Sequence, residues 1–423
     1  MEPVLTKNIV NGSGPAMIEV YEKNGGYQAL RKALNMSPED VTRLVSDSGL
    51  RGRGGAGFPT GRKWSAMPPV ADAARPRYLA CNFDEMEPGT FKDRYLGEGD
   101  PHQLIEGIII VAYACQADIG YIFIRDEYRR VIDLLQRALA EAADKGYIGK
   151  NILGKGWDFD LHIHVSAGRY MCGEETGLLN ALEGKRANPR SKPPYPMTSG
   201  LWGKPTLVQN VETLCCVPHI VERGAEWFKS IGKAKDSGPK IYGASGKVNN
   251  PGAYELPMGI TMRELIEEHA GGMREGYSFR AALPGGASTQ FMDISLYDVP
   301  LDFDSLKEIG MFLGTGTAVV LDDKTCPVAI CRNLEMFYAR ESCGWCTPCR
   351  EGLPWIEGLL QSIEQGKGEP GDIDLLLDQA LFLGPNSFCA FALGAIQPLI
   401  SAIKLFREDF EEHITQKRCP YSG

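Results

Sequence analysis

The C-terminal quarter of the chain holds cysteines whose spacing suits an iron–sulfur cluster. Cys343, Cys346 and Cys349 lie in the segment Cys-Gly-Trp-Cys-Thr-Pro-Cys. Three thiols so spaced can bind three corners of a cubane cluster, and a distant fourth cysteine completes the ligand set. Cys389 is the predicted fourth ligand because it opens the last predicted helix, and Cys419 near the chain end is the competing choice. A structural zinc site is the alternative, although such sites usually pair two separated cysteine knuckles.

A glycine-rich loop at 50–61 has the composition of a phosphate-binding loop. Its sequence is Leu-Arg-Gly-Arg-Gly-Gly-Ala-Gly-Phe-Pro-Thr-Gly. So many glycines allow backbone N–H groups to face an anion. Arg62 and Lys63 follow directly and favour a phosphorylated ligand. The loop does not present the G-x-G-x-x-G pattern in the strand–turn–helix context in which that pattern binds dinucleotides. A plain glycine-rich turn is the alternative.

Two further segments place polar side chains at the ends of predicted strands. Residues 81–89 (Cys-Asn-Phe-Asp-Glu-Met-Glu-Pro-Gly) follow one strand, and residues 167–176 (Ala-Gly-Arg-Tyr-Met-Cys-Gly-Glu-Glu-Thr) follow another and open a helix. Ligands of open α/β sheets bind at the carboxyl ends of the strands. The first segment can accept hydrogen bonds from ribose, ribityl or carboxamide groups, and the second suits an anionic cofactor. The alternatives are a solvated acidic turn and, for 174–175, carboxylates that only complement the helix dipole.

These segments belong to a predicted α/β region. Strands and helices alternate from residue 77 to 183, which predicts a mainly parallel sheet covered by helices. Residues 184–210 carry prolines that predict an irregular segment. The predicted strands span 78–82, 120–125 and 158–166, and the predicted helices 101–117, 127–145 and 174–182.

The predicted secondary structure changes twice in the rest of the chain. From residue 240, short strands and a helix at 261–269 predict a small α+β module. After residue 325 the pattern is helical, and its short loops predict a small antiparallel bundle. The predicted helices of that bundle span 327–341, 353–365, 371–383 and 390–414.

Composition excludes several classes of protein. The 423 residues are 43% hydrophobic and 23% charged, with a net charge of −9 and no dense basic run. This balance is typical of a globular protein and argues against nucleic-acid binding. The N-terminus has no apolar signal core, and the apolar stretch 107–117 is too short to cross a bilayer, which predicts a cytoplasmic chain. Seven other cysteines are predicted to be small buried apolar side chains: Cys81, Cys115, Cys172, Cys215, Cys216, Cys326 and Cys331.

From about residue 26 to about residue 411, the chain resembles the flavin-bearing, NADH-binding subunit of bacterial respiratory NADH:quinone oxidoreductase (complex I). The resemblance implies three domains. Residues 1–239 would form a Rossmann-like α/β domain for FMN and NADH with an N-terminal extension. Residues 240–324 would form a β-grasp (SLBB-like, ubiquitin-like) module, and residues 325–423 a helical domain with a [4Fe–4S] cluster. Seven segments in the family's order carry the resemblance: 51–61, 81–90, 172–176, 192–196, 202–206, 210–213 and 341–350.

The resemblance also implies which residues bind the cofactors. It assigns the cluster to Cys343, Cys346, Cys349 and Cys389. It places FMN against Lys63, Asn82, Asp84, Gly168, Tyr170, Gly173, Glu174, Gln209, Asn210 and Thr213. It places NADH, the substrate, against Gly52, Arg53, Gly54, Gly55, Ala56, Gly57, Phe58, Glu85, Glu87, Glu175, Lys192 and Tyr195.

The implied function is electron input. NADH would give a hydride to FMN, and single electrons would pass through iron–sulfur clusters toward quinone, with no catalytic side chain in the usual sense. The implied partners are a thioredoxin-like [2Fe–2S] subunit and a large multi-cluster subunit, in a peripheral arm on the cytoplasmic face of the inner membrane. Nucleic-acid binding and direct membrane insertion are not expected.

Two other functions compete with this interpretation. One is the diaphorase subunit of an NAD-linked hydrogenase or formate dehydrogenase, although those relatives often carry fused thioredoxin-like or ferredoxin-like segments. The other is a non-redox scaffold that retains only the β-grasp module. A scaffold would not need the four cysteines, and its purified protein would be colourless.

Overall fold

A parallel sheet forms the centre of the N-terminal half of the chain. The computed structural model describes residues 1–10, 12–72 and 74–421. The strands lie in the order β3-β2-β1-β4, and Leu79, Ala80 and Cys81 in the interior of β1 are fully buried. The predicted α/β fold is confirmed, and the three predicted strands are correct to within two residues at each end. The strands are β1 (Tyr78–Phe83), β2 (Ile119–Arg125), β3 (Asp160–Ser166) and β4 (Thr206–Asn210).

Helices precede this sheet and connect its strands. The three predicted helices of this region are present as α6, α7 and α8, each shorter than predicted by one to three residues at an end. The helices up to residue 229 are α1 (Ile18–Lys23), α2 (Gln28–Ala33), α3 (Pro38–Asp47), α4 (Thr60–Ser65), α5 (Lys92–Gly99), α6 (Pro101–Ala114), α7 (Arg129–Asp144), α8 (Glu175–Leu182), α9 (Pro196–Ser199), α10 (Val211–Arg223) and α11 (Ala225–Lys229).

The prediction that 184–210 is irregular is wrong at its end. Strand β4 pairs in parallel with β1 along its whole length. Pro205 lies just before the strand and supplies only its carbonyl, which accepts from Tyr78 N at 2.9 Å. A proline at that position therefore costs the sheet no hydrogen bond, and the proline content of the segment concealed a short buried strand.

The second sheet follows in the middle of the chain. Its order is β6-β5-β9-β7-β8, and β5 pairs in parallel with β9 while the other pairs are antiparallel. The predicted helix at 261–269 has π-helical hydrogen bonding from Glu264 to His269. The elements are β5 (Pro239–Ser245), β6 (Gly252–Pro257), β7 (Phe279–Leu283), β8 (Met292–Asp293), α12 (Phe303–Glu308) and β9 (Thr317–Asp322).

The C-terminal part is helical, as predicted. The predicted helix 390–414 is in fact two helices, because the chain bends by 78° at Phe406. Within the described residues, no single helix has the length and apolarity to cross a membrane, and this bent pair passes that test only jointly. The helices are α13 (Pro327–Glu341), α14 (Thr347–Glu364), α15 (Asp372–Asn386), α16 (Ala390–Leu405) and α17 (Arg407–Gln416).

A buried ion pair joins the second sheet to helix α10. Lys240 Nζ on β5 lies 2.8 Å from Glu212 Oε2 on α10, and both side chains are fully buried. Lys92 Nζ contacts the same carboxylate at 3.1 Å. Burial lowers the pKa of Lys240 to about 8, although the nearby Glu212 opposes that shift. The carboxylate of Glu212 is therefore shared by two buried cations.

We expect Lys240→Met to destabilise the protein by about 3 kcal/mol, because removing one partner of a buried pair leaves charge without full compensation. The matched control is Lys235→Met, whose partner Glu308 and whose own side chain are both largely exposed. That variant should leave the free energy of unfolding almost unchanged, because exposed ion pairs contribute little to stability. Urea denaturation followed by far-UV circular dichroism measures both. Equal stabilities for the two variants would contradict the expectation.

Candidate functional site

The predicted flavin-binding segments meet at the carboxyl edge of the parallel sheet. Asn82 at the end of β1 is the register partner of Asn210 at the end of β4. Strand β3 runs into the turn at 167–174 beside them. Lys63 on α4 donates to the carbonyl of Val208 on β4 at 2.8 Å. Residues far apart in the sequence therefore line one edge.

The glycine-rich loop lies over this edge. Gly52 N donates to Phe58 O at 2.9 Å, which closes the loop on itself. Gly55 and Gly57 have φ of +121° and +61°, which other residues rarely adopt. A Cβ at Gly54 would lie 3.2 Å from the Cβ of Asn210. The backbone of the loop is thus held close to the strand ends, as a ligand-facing loop requires.

Arg53 points away from this edge. Its side chain is fully buried, and its guanidinium donates to Ser237 O at 2.8 Å and to Pro239 O at 3.2 Å. Its backbone N donates to Thr213 Oγ1 at 2.8 Å. The side chain of Arg53 therefore joins the loop to β5, its backbone N–H is already bonded to Thr213, and its predicted contact with NADH remains a prediction.

The turn before α8 separates the roles of two adjacent carboxylates. Glu174 caps the helix, since its Oε2 accepts from Thr176 N at 2.8 Å and from Gly177 N at 2.9 Å. A Cβ at Gly173 would meet nothing within 4 Å, so the turn is open there. The capping role that the sequence left open for both carboxylates thus belongs to Glu174.

Glu175 instead lies between two lysines. Its Oε2 is 2.8 Å from Lys63 Nζ, and its Oε1 is 2.9 Å from Lys192 Nζ. Burial raises the pKa of Glu175, but the two cations outweigh it and hold that pKa below its ordinary value. Lys192 also contacts Glu174 at 2.9 Å. Two lysines and two glutamates therefore form a balanced charge cluster at the edge.

Two acidic side chains that follow β1 are buried, and the pKa of each is raised to near neutral pH. Burial raises the pKa of Asp84 to about 7, and burial raises that of Glu85 to about 7 as well. Glu85 accepts from the backbone N of Asp93 at 2.8 Å and of Arg94 at 3.0 Å. The carboxylate of Glu85 thus caps α5, and its predicted contact with NADH remains a prediction.

Tyr170 connects the edge to the helical domain. Its hydroxyl donates to Glu87 Oε2 at 2.5 Å, and its backbone N donates to Glu341 Oε2 at 2.9 Å. Glu87 also accepts from Ser288 N at 2.6 Å. Burial raises the pKa of Glu87 above its ordinary value. The turn at 168–175 is therefore fixed from both sides by hydrogen bonds.

The strand end of β4 offers a donor to a ligand. Gln209 is buried, and its amide nitrogen has no hydrogen-bond partner among the described residues. The side chain of Asn210 already has partners within the protein, because its Oδ1 accepts from Glu212 N at 3.0 Å and its Nδ2 donates to Asp93 at 2.7 Å. A buried amide donor without a protein partner fits a ligand with carbonyl acceptors, such as a flavin ring. Phe58 and Tyr195 are half exposed, at 48% and 52%.

The four predicted cluster ligands surround one cavity. Cys343, Cys346, Cys349 and Cys389 line it together with largely apolar side chains, which include Trp345. Cys346 and Cys389 are the N-caps of α14 and α16, and Cys349 lies in the first turn of α14. The positive ends of two helices therefore face the cavity, where they would stabilise the anionic charge of cluster-bound thiolates. This donor set and its apolar shell fit a [4Fe–4S] cluster.

Sequence reasoning missed a second group of metal-binding side chains. Cys326, Glu364, His413 and Cys419 place their ligand atoms within 4.8 Å of one another. Cys326 is buried as predicted, but its thiol also contacts the polar groups of Glu364 and His413. Cys419 belongs to this group and does not line the four-cysteine cavity. No short-range spacing joins these four residues, so the sequence carried no signal for them.

Comparisons with protein-family models match three parts of the chain. Residues 45–219 match the Nuo51 FMN-binding domain. Residues 243–291 match the SLBB domain, and residues 329–413 match the NADH-ubiquinone oxidoreductase-F iron-sulfur binding region. The three matches follow the order of the two sheets and the C-terminal helices.

Full-length relatives share about half of their residues with this chain. The NADH-quinone oxidoreductase subunit that is designated F in Escherichia coli (strain K12) is 54% identical over 99% of this chain and 94% of that protein. The corresponding subunit of Rhizobium meliloti (strain 1021), designated F 2, is 51% identical over 99% of each.

A solved structure has the same fold over nearly the whole chain. An NAD+-reducing [NiFe]-hydrogenase in the air-oxidized state superposes with a TM-score of 0.84 at 35% identity. The match covers 98% of this chain and 67% of the hydrogenase chain.

Proposed function

Because this chain belongs to the family of F-type NADH-quinone oxidoreductase subunits, we propose that the carboxyl edge of its parallel sheet binds FMN and NADH and that its four-cysteine cavity holds the cluster. The chain is an NADH dehydrogenase subunit of respiratory complex I with FMN and [4Fe–4S] as cofactors. One observation carries the assignment of the sites. The turn at 168–175 borders the edge, and Met171 of the same turn lines the cavity.

The residues of the edge bind and orient the reactants. Lys63, Asn82, Gln209 and the open turn at Gly173 would hold FMN, and the glycine-rich loop with Lys192 would hold NADH. When bound, FMN accepts hydride from NADH and releases electrons singly. The protein contributes orientation and electrostatics, because holding the reactants in line removes much of the entropic barrier. No side chain of this chain needs to act as a general acid or base.

The partners and the location extend this proposal. A chain with one predicted cluster needs further clusters to pass electrons onward. We assign that relay to a thioredoxin-like [2Fe–2S] subunit and a large multi-cluster subunit of the same complex. The complex would present this chain in its peripheral arm, on the cytoplasmic face of the inner membrane.

Sequence identity separates this function from the hydrogenase alternative. The NADH-quinone oxidoreductase relatives reach 54% identity and are covered over 94% of their length. The hydrogenase chain reaches 35% identity and is covered over 67%. The relatives named for quinone reduction are therefore nearer to this chain in both respects.

The anaerobically purified chain should reduce ferricyanide with NADH but fail to reduce a quinone. FMN bound at an accessible edge can give electrons to a soluble acceptor, whereas quinone reduction requires the partner subunits. Flavin and iron–sulfur absorption bands, with both activities, provide the measurement. The control is the same chain within the assembled complex, which should reduce quinone. A colourless chain would contradict the cofactor sites, and rapid quinone reduction by the lone chain would contradict the need for partners.

A further inference from the structure

Four side chains with metal-ligating atoms converge at the far end of the helical domain. Cys326 is the N-cap of α13, Glu364 is the last residue of α14, and His413 lies on α17. Cys419 follows in the C-terminal segment. Their ligand atoms all lie within 4.8 Å of one another. Four separate segments of the chain thus bring two thiols, one imidazole and one carboxylate to a common point.

The distances match a tetrahedral metal site. Cys326 Sγ lies 3.3 Å from His413 Nε2 and 3.5 Å from Glu364 Oε2. His413 Nε2 lies 3.3 Å from Glu364 Oε2. Ligand atoms about 2.0–2.3 Å from a tetrahedral zinc ion are separated from one another by about 3.3–3.8 Å. The three separations agree with the edges of such a tetrahedron.

The surroundings orient the ligands for a metal. His413 is fully buried, and its Nδ1 donates to Asp409 O at 2.6 Å. A carbonyl can only accept, so Nδ1 carries the proton and the lone pair of Nε2 faces the group. This pattern is typical of metal-bound histidine. Ala329 N donates to Cys326 Sγ at 3.3 Å and so helps to fix the position of that sulfur.

The segment that carries Cys419 is held in place independently. Arg280 on β7 donates to Tyr421 Oη at 2.6 Å and to Asp409 Oδ2 at 2.5 Å. The hydroxyl of Tyr421 donates to the other carboxylate oxygen of Asp409. These bonds position the residues around Cys419 against α17, so the group does not depend on a loose chain end.

The group is separate from the four-cysteine cavity. Cys349 lies in the first turn of α14, whereas Glu364 is its last residue. At 1.5 Å per residue, the two positions are roughly 22 Å apart along the helix. A metal ion at one end therefore does not share ligands with a cluster at the other.

We propose that Cys326, Glu364, His413 and Cys419 bind one Zn2+ ion that fastens the C-terminal segment to helices α13, α14 and α17. Two thiolates, a neutral imidazole and a carboxylate are a donor set that zinc accepts in tetrahedral geometry. The role is structural, because all four positions are filled by protein. The ion takes no part in the transfer of electrons from NADH.

Metal analysis of the holoprotein tests the proposal. The chain, purified without chelators and without an affinity tag that binds metals, should contain about one zinc per chain beside the cluster iron. Zinc-edge X-ray absorption should show sulfur near about 2.3 Å and lighter ligands near about 2.0 Å. Cys419→Ser and His413→Gln should each lose the zinc while iron and FMN remain at the level of the unaltered chain. Both should also lower the midpoint of thermal unfolding.

The control is Cys331→Ser, a buried cysteine of α13 outside the group. This variant should keep zinc. It therefore distinguishes the effect of removing a zinc ligand from the effect of replacing any buried cysteine. The proposal is overturned if the unaltered chain contains no zinc and takes up none from ZnCl2 in competition with a chromophoric chelator. A disulfide between Cys326 and Cys419, found by mass spectrometry of the anaerobically purified chain, would also overturn it. Failure of zinc binding with normal iron and FMN would leave the proposed function intact.

Discussion

Cys349→Ser should remove the iron–sulfur cluster and stop the passage of electrons beyond FMN. Cys349 is buried in the wall of the four-cysteine cavity. A serine hydroxyl is a far poorer iron ligand than a thiolate, and a cubane with three cysteines is prone to loss. We expect iron to fall from about four atoms per chain to near zero. NADH-dependent quinone reduction by the assembled complex should fall with it.

Most of the FMN should remain in this variant. The strand ends at the sheet edge are held by β1 and β4, whose hydrogen bonds do not involve the C-terminal helices. Iron and flavin are counted together after anaerobic purification. Cys331→Ser again serves as the control and should keep its iron, since this buried thiol does not line the cavity. Unchanged iron in Cys349→Ser, or equal loss in the control, would refute the ligand assignment.

Glu175→Gln should weaken the preference for NADH over NADPH by about 10–100-fold, which corresponds to roughly 1.4–2.8 kcal/mol. In the structure, Glu175 balances Lys63 and Lys192. Removing its charge leaves the cluster with a net positive charge, which favours the additional phosphate of NADPH. In the proposed NADH site the carboxylate would also repel that phosphate, because like charges in contact across an interface cost several kcal/mol. The ratio of kcat/KM for the two nucleotides measures the effect.

Glu183→Gln is a matched control for this experiment. Glu183 lies just after the other end of α8 and is likewise paired with two cations, Lys185 at 2.7 Å and Arg190 at 2.8 Å. Its replacement should leave the nucleotide preference unchanged. Glu174 rather than Glu175 makes the capping hydrogen bonds of α8, so Glu175→Gln leaves those bonds in place, although Glu175 still lies in the first turn of the helix. An unchanged ratio in Glu175→Gln would show that its charge does not select the nucleotide.

The regular elements were predictable because their periodicity is strong. Strand β2 is a short apolar segment typical of a buried strand, and helix α7 has apolar residues at helical spacing. Both occur within two residues of the predicted bounds. Strand β4 was not predictable from local pattern. It is only five residues long and follows a proline-rich segment, and its pairing with β1 is a long-range contact.

Some features of the candidate site were likewise predictable from the sequence, and others were not. Motifs with contiguous spacing, such as the three cysteines at 343–349, were visible in the sequence, and the structure places them around one cavity. The inward direction of Arg53 and the capping roles of Glu85 and Glu174 depend on neighbours that only the folded chain supplies. Cys326 and His413 are 87 positions apart. Their proximity is a property of the helix packing and has no local signature.

The position of Tyr170 and Met171 has a consequence for electron tunnelling. The turn that borders the proposed flavin edge also forms part of the wall of the four-cysteine cavity. Tyr170 is held there by hydrogen bonds to Glu87 and Glu341. The rings of Phe337 and Phe391 pack against it edge to face. With FMN at this edge and a cluster in the cavity, the distance between the two groups would be set by a short covalent segment. Because tunnelling rates fall steeply with distance, such a segment would keep the first electron step insensitive to bending between the sheet and the helices.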